Sequence, residues 1–183
     1  MVKPCIVLIF MGLFCMASTG SAYEAAYQKT PNGTIEIKTI PAAKLMVAEA
    51  AGDYFDGNND MFRSLFGYIS SNDVSMMVPV EAQVEKTQMK FYVGSSDIEK
   101  DLLDQGDVTV VNVPERMVAS VGIRGSYSKK QFEVNRDKLV VWLGENTQYQ
   151  STGEAYAVYW DTPFVPWFMK HSEVHIPVTD QIQ

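Results

Sequence analysis

The side chains with most chemical potential gather near the C-terminus of this 183-residue chain. His171 and His175 are its only histidines, and imidazole both titrates near neutrality and binds metals. Glu173 begins a segment that reads as a strand, so the pair is not a helical one. In extended chain the two rings would share one side, ~13 Å apart along the strand. Neither stands in an HExxH context, and no cysteine is nearby to complete a zinc site. Embedded or surface histidines are therefore the expectation. Glu154, Asp161 and Glu173 are the carboxylates that could approach one another, as general bases would have to. Strand-end acids are usually solvated, however, and there is no nucleophile elbow, glycine-rich phosphate loop or paired-carboxylate frame. The residues point to binding rather than catalysis.

Binding chemistry is carried by aromatics. Trp160, Phe164, Trp167 and Phe168 fall in one proline-punctuated loop, a cargo that a polar loop does not need. Such a segment either folds onto the body of the protein or lines a groove. Phe62 and Phe66, four apart beside Met61 and Leu65, share a helix face that taken alone reads as core. Arg63 and Lys170 place a cation beside each aromatic group.

The elements that position these residues repeat. Ile35-Glu36-Ile37-Lys38-Thr39-Ile40-Pro41 and Val108-Thr109-Val110-Val111-Asn112-Val113-Pro114 share β-branched positions and a closing proline. At the same offset of 73 (114 − 41), Gly52 matches Gly125 and Tyr54 matches Tyr127. A second strand fits between proline and glycine in each copy, Leu45 to Ala50 and Met117 to Ile123. A helix follows. Asn58-Asn59-Asp60 offers caps before Met61, Phe62, Leu65, Phe66 and Ile69 at helical spacing. Ser126 or Ser128 precedes Phe132, Leu139, Val140, Trp142 and Leu143, with Gly144 and Asn146 as stops. Two strands close each half, Met76 to Val84 and Met89 to Val93, then Ala155 to Trp160 and Glu173 to Val178. Pro79 predicts an edge or a bulge in the first of them. Ser95 to Asp107 links the halves and carries a helical turn. The duplicated ββαββ pattern predicts an α+β fold: a distorted β-barrel of two pseudo-symmetric halves, flanked by two α-helices.

Residues 1–22 read as an export leader: Lys3, an apolar run from Cys5 to Met16, then small residues ending at Ala22. That run is shorter than the ~20 residues a membrane span needs. Residues 23–183 then form one domain, exported to the periplasm or outside the cell. Both cysteines, Cys5 and Cys15, leave with the leader, so stability comes from packing. Loss of Lys3 moves the net charge from −7 to −8, and an acidic surface disfavours nucleic acid as a partner. Asn32-Gly33-Thr34 matches the N-glycosylation pattern.

Several of these stretches resemble the SOUL haem-binding family. Ile35 to Ala42 is similar to its opening strand, Phe62 to Ser70 to its first helix, and Met76-Met77-Val78-Pro79-Val80 to its Met-Thr-Ala/Val-Pro-Val strand. Tyr159 to Phe164, Pro166-Trp167-Phe168 and Glu173-Val174 resemble its Tyr-Asp-x-Pro, Pro-Trp/Tyr-Phe and Asn-Glu-Val-Trp segments. The likeness runs from about Ile35 to Val178. His171 and Ser172 depart from a usual Arg-Asn pair, His175 from a usual Trp, and Val165 from a position that is basic in some members.

The resemblance implies reversible binding of haem or a related porphyrin. Phe62, Phe66, Trp160, Phe164, Trp167 and Phe168 would meet the macrocycle, and Arg63 and Lys170 its propionates. Met61, Met76, Met77 and Met169 could ligate iron, yet methionine is usually core filler, and no axial ligand is assigned. The duplicated unit also looks like the ligand domains of some drug-responsive bacterial regulators. An acid such as Glu173 facing the groove would favour their amphipathic aromatic cations; Arg63 and Lys170 there would favour haem. A small hydrolase with a groove carboxylate is the third possibility.

Overall fold

A computed structural model describes residues 24–162 and 164–181; the expected leader lies outside them. Nine strands and two helices follow one another as β1 (Ile35–Ile40), β2 (Ala43–Glu49), α1 (Tyr54–Asn72), β3 (Met76–Gln83), β4 (Gln88–Val93), β5 (Val108–Val113), β6 (Arg116–Arg124), α2 (Lys129–Glu145), β7 (Tyr149–Ser151), β8 (Tyr156–Tyr159) and β9 (His171–Asp180). The protein is thus α+β, with a large antiparallel sheet. The strand order is β1-β6-β9-β8-β3-β4-β2-β5, and short β7, absent from the sequence reading, pairs with the end of β9. β1 and β5 end this path without a ladder between them among the described residues, so the hydrogen-bonded sheet is open.

Strand alternation gives the sheet two different faces. Met46, Ala48, Met89, Phe91, Ala119, Val121, Ala157, Val174 and Ile176 form the apolar face under the helices. α1 packs over β2 and β4, and α2 over β9 and β6. From α1, Met61 and Leu65 reach this core, as do Phe132 and Leu139 from α2. Val140, expected on the apolar side of α2, is instead 54% exposed. It follows Leu139 by one position, about 100° further round the helix, which turns it toward solvent.

The caps decide where the helices begin. α1 starts at Tyr54, earlier than expected: Asp53 Oδ1 accepts from the Phe55 amide at 2.9 Å. Asn58, Asn59 and Asp60 therefore lie inside the helix rather than before it. Gly52, the residue before the Asp53 cap, has φ +96°, and its counterpart Gly125, before α2, has φ +134°, both positive values that favour glycine. Ser128 Oγ caps α2 by accepting from the Gln131 amide at 3.3 Å. Pro79 sits at a register shift between Met77 and Val80. β3 lies between β4 and β8, so the proline marks a bulge and not an edge.

The opposite face is crossed by residues 24–34. Ala26 N donates to Val78 O and Val78 N to Glu24 O, both at 2.8 Å; further on, Gly33 N donates to Gly122 O at 2.8 Å. Gly122 allows this crossing, because a Cβ there would meet Pro31 O at 2.3 Å.

Candidate functional site

One cleft opens between α1 and the helix-side face of the sheet, with a volume of about 300 Å³, the lower end of the range for small-molecule sites. Phe55, Asn58, Asn59 and Phe62 line it from α1, where spacings of three and four bring side chains onto one face. Val80 of β3, Met89 of β4 and Tyr159 of β8 make its floor. Tyr127, just before α2, stacks on Tyr159 with ring centroids 4.3 Å apart and 24° between planes. Lys170 Nζ stands 4.8 Å from the Tyr127 ring centroid, and Asp161 completes the lining. Tyr127 also fastens both ends of the aromatic loop: its hydroxyl donates to His171 O at 2.8 Å and accepts from Asp161 N at 3.0 Å. Burial raises the phenols of Tyr54, Tyr127 and Tyr159 well above the ordinary tyrosine range, so all three stay protonated at neutral pH.

The structure does not bring all of the expected site residues together. Phe62 and Lys170 line the cleft. Phe66 stacks on Phe62 with planes 10° apart and is 56% exposed, extending that wall toward solvent. Phe164, Trp167 and Phe168 are exposed on the loop between Asp161 and Lys170. Arg63 is paired with Asp60 on the outer side of α1 and does not line the cleft. Trp160 is buried on the other face of the sheet, where β8 alternation places it with Tyr156 and Val158. Sequence reasoning did not assign Tyr54, Tyr127 or Tyr159 to the site, although the matched corners had already paired Tyr54 with Tyr127.

That other face holds a buried polar cluster. Glu173 accepts from Thr30 N at 2.8 Å, Trp160 Nε1 at 2.7 Å and Ser120 Oγ at 3.0 Å. Lys38 Nζ lies 2.6 Å from Glu173 Oε2. Burial alone would raise this carboxyl, but the hydrogen bond and charge of His175, with the Lys38 ammonium, bring it down to about 2. Burial has the opposite consequence for His175, whose pKa falls below the ordinary imidazole value because its charged form is desolvated. Glu81, Arg116 and Tyr92 form a second buried group nearby. Tyr27 seals the cluster, its ring 5.3 Å from Trp160 and 5.9 Å from Tyr92.

The two histidines consequently differ. His175 is fully buried, whereas His171 is partly exposed beside Asp161, whose Oδ2 lies 3.2 Å from its Nδ1. Among the described residues, no three His, Cys, Asp or Glu side chains are grouped to hold a metal ion. Met61 is core and Met169 is exposed.

Similar folds occur in solved structures. The C-terminal domain of EcmrR aligns with a TM-score of 0.63 at 12% identity, covering 80% of this chain and 98% of that one. EcmrR in its DNA complex gives 0.62 at 14% identity over 80% of this chain, which spans 57% of that protein. A hydrolase from Listeria innocua gives 0.53 at 10% identity, covering 82% of this chain and 94% of that one. At such identities the likeness is one of fold. No curated protein sequence matches the chain. The model of the SOUL heme-binding protein family matches residues 22–177, nearly the whole of what is described above, and the chain belongs to that family.

Proposed function

We propose that the protein is an exported carrier or buffer that binds haem or a related tetrapyrrole reversibly in the cleft between α1 and the sheet. The observation that carries this reading is the cleft wall itself: stacked Tyr127 and Tyr159 face Phe62, with Lys170 beside them. A flat apolar macrocycle suits such a wall, and an ammonium at its margin suits a propionate. A cleft of about 300 Å³ would seat one edge of the ring system, leaving the rest against Phe66 on the outer turn of α1. When bound, haem would supply the iron chemistry; the chain supplies the apolar wall and the cation.

We read the halves as repeats closing around a shared interior. Exchanging β1 with β5, β2 with β6, β3 with β8 and β4 with β9 turns the strand order into its own reverse. Tyr54 and Tyr127, from the matched corners, both line the cleft. The second reading, an amphipathic aromatic cation, draws its support from Asp161 in the lining; Glu173 faces away.

Titration of haemin into the purified protein tests the proposal. A saturable Soret change with tryptophan quenching is expected. No change at micromolar haemin would remove the haem reading, and saturable binding of an aromatic cation instead would establish the second one.

A further inference from the structure

The loop after β8 displays apolar side chains to water in a built conformation. Phe164 is 93% exposed, Trp167 67%, Phe168 56% and Met169 44%. Four large apolar side chains within six consecutive residues are far more than the scattered exposure normal for a surface. Their backbone is held in place. Val165 N donates to Thr162 O at 3.2 Å, Met169 N to Pro166 O at 2.9 Å, and Gly125 N to Lys170 O at 2.9 Å. Arg124 Nε donates to Phe168 O at 3.2 Å, and the Trp167 and Phe168 rings meet edge to face, 5.8 Å apart. Asp161 and Lys170, which bracket the loop, both line the cleft. The display therefore stands at the mouth of that cleft.

We infer that Phe164, Trp167, Phe168 and Met169 dock the protein onto a lipid bilayer, with the cleft opening toward the membrane; the consequence for ligand passage rests on the cleft reading above. Trp and Phe at a protruding tip suit the headgroup boundary, where one part of the side chain meets hydrocarbon and another meets water. Exposed Arg124 flanks them as a headgroup partner. A protein partner fits less well, because a six-residue tip offers much less than the ~800 Å² per side of a standard interface. The chain as a whole is acidic, at −7, so attraction to anionic lipid does not drive the contact. Insertion of the aromatics does, and a tetrapyrrole dissolved in the bilayer would then enter the cleft without crossing water.

Co-sedimentation with vesicles of phosphatidylcholine alone, and of phosphatidylcholine with phosphatidylglycerol, tests the docking without haemin. Wild type is expected to bind both, with a blue shift in tryptophan emission that Trp167→Phe removes. The triple variant Phe164→Ser, Trp167→Ser, Phe168→Ser changes only exposed positions, and is expected to lower partitioning by at least about tenfold. Haemin titration in lipid-free buffer separates the two readings. Retained haemin binding by the triple variant supports docking. Loss of it would make the loop a wall of the ligand site and overturn the proposal, as would failure of wild type to bind vesicles or equal binding by the variant. Loop-dependent vesicle binding by a protein that never binds haemin would support docking while removing the cleft reading.

Discussion

Glu173 Oε2 lies 2.6 Å from Nε2 of His175, two residues along β9 and sealed from water. An ionised carboxylate only accepts, so Nε2 carries the imidazole proton and Nδ1 accepts from the Tyr156 hydroxyl at 3.2 Å. Lys38 neutralises the carboxylate from edge strand β1, its side chain 14% exposed. Glu173 thus joins β1, β6, β9, Trp160 just past β8 and the N-terminal segment through one side chain. Glu173→Gln would leave Lys38 uncompensated in a largely buried setting, and breaking such a pair costs about 3–5 kcal/mol. Urea denaturation should show a loss of that size at unchanged m-value.

The same pair sets a pH dependence. In the unfolded chain His175 titrates near ~6.5, and in the folded one lower. As pH falls below that value the unfolded state takes up the proton first, so stability declines. Glu173 behaves as a depressed acid: its contribution is complete above the ordinary glutamate value and disappears as pH falls toward about 2. Acid destabilisation should therefore come in two stages. Denaturant midpoints measured against pH should lose the upper stage in His175→Gln and show a smaller lower one, because His175 is part of what depresses Glu173 and Lys38 alone remains. Parallel curves for the two proteins between ~pH 7 and ~5 would refute this assignment.

The segment 24–34 depends on Gly122. An alanine Cβ there would stand 2.3 Å from Pro31 O and 2.5 Å from Thr30 O, and backbone on both sides cannot yield cheaply. Gly122→Ala should displace the segment, uncover Tyr27 and open its peptide bonds to protease while the helix-side core stays folded. Tyr27→Ala removes a ring that packs against Tyr92 and Trp160 and should cost about 3–5 kcal/mol. Tyr27→Phe keeps the ring and deletes a buried hydroxyl with no hydrogen-bond partner among the described residues, so its stability should match wild type or exceed it. Limited proteolysis and thermal melts check the three together.

Helix capping separates two candidate starts for α1. Asn58, Asn59 and Asp60 are all favoured cap types, yet Asp53 holds the Phe55 amide and pairs with Lys129 Nζ at 2.6 Å, tying the start of α1 to that of α2. Asp53→Ala should lower the melting midpoint measurably, whereas Asn58→Ala should not, since that residue lies in the helix body.

Strand positions were legible because period-two alternation and β-branched runs are local. Trp160 belongs to the same alternation: counting from Tyr156 and Val158 would have put it on the face away from the helices. The start of α1 was hidden by competing cap residues, and only the position of buried Tyr54 resolves them. Nothing local marks the polar cluster, since Thr30 and Glu173 meet across 143 residues. The matched corners at Tyr54 and Tyr127 carried more of the cleft than the aromatic loop did, although the loop was the more conspicuous in composition.

Lys170 and Arg63 make the sharpest comparison for ligand binding, since both are cations beside aromatics and only one faces the cleft. Lys170 Nζ stands against the Tyr127 ring in the cleft lining. Arg63 is paired with Asp60, both side chains more than 70% exposed, and solvent screens such a charge. Lys170→Ala should weaken haemin binding by up to about fivefold, the ~1 kcal/mol of an exposed cation-carboxylate contact, and raising ionic strength should narrow the difference. Arg63→Ala should leave the titration unchanged. Phe62→Ala, which opens the wall, should weaken it more than Lys170→Ala does, because burial of the macrocycle outweighs a contact at the rim. Soret titrations of the three variants at two salt concentrations check the order, and a loss with Arg63→Ala equal to that with Lys170→Ala would place the ligand outside this cleft.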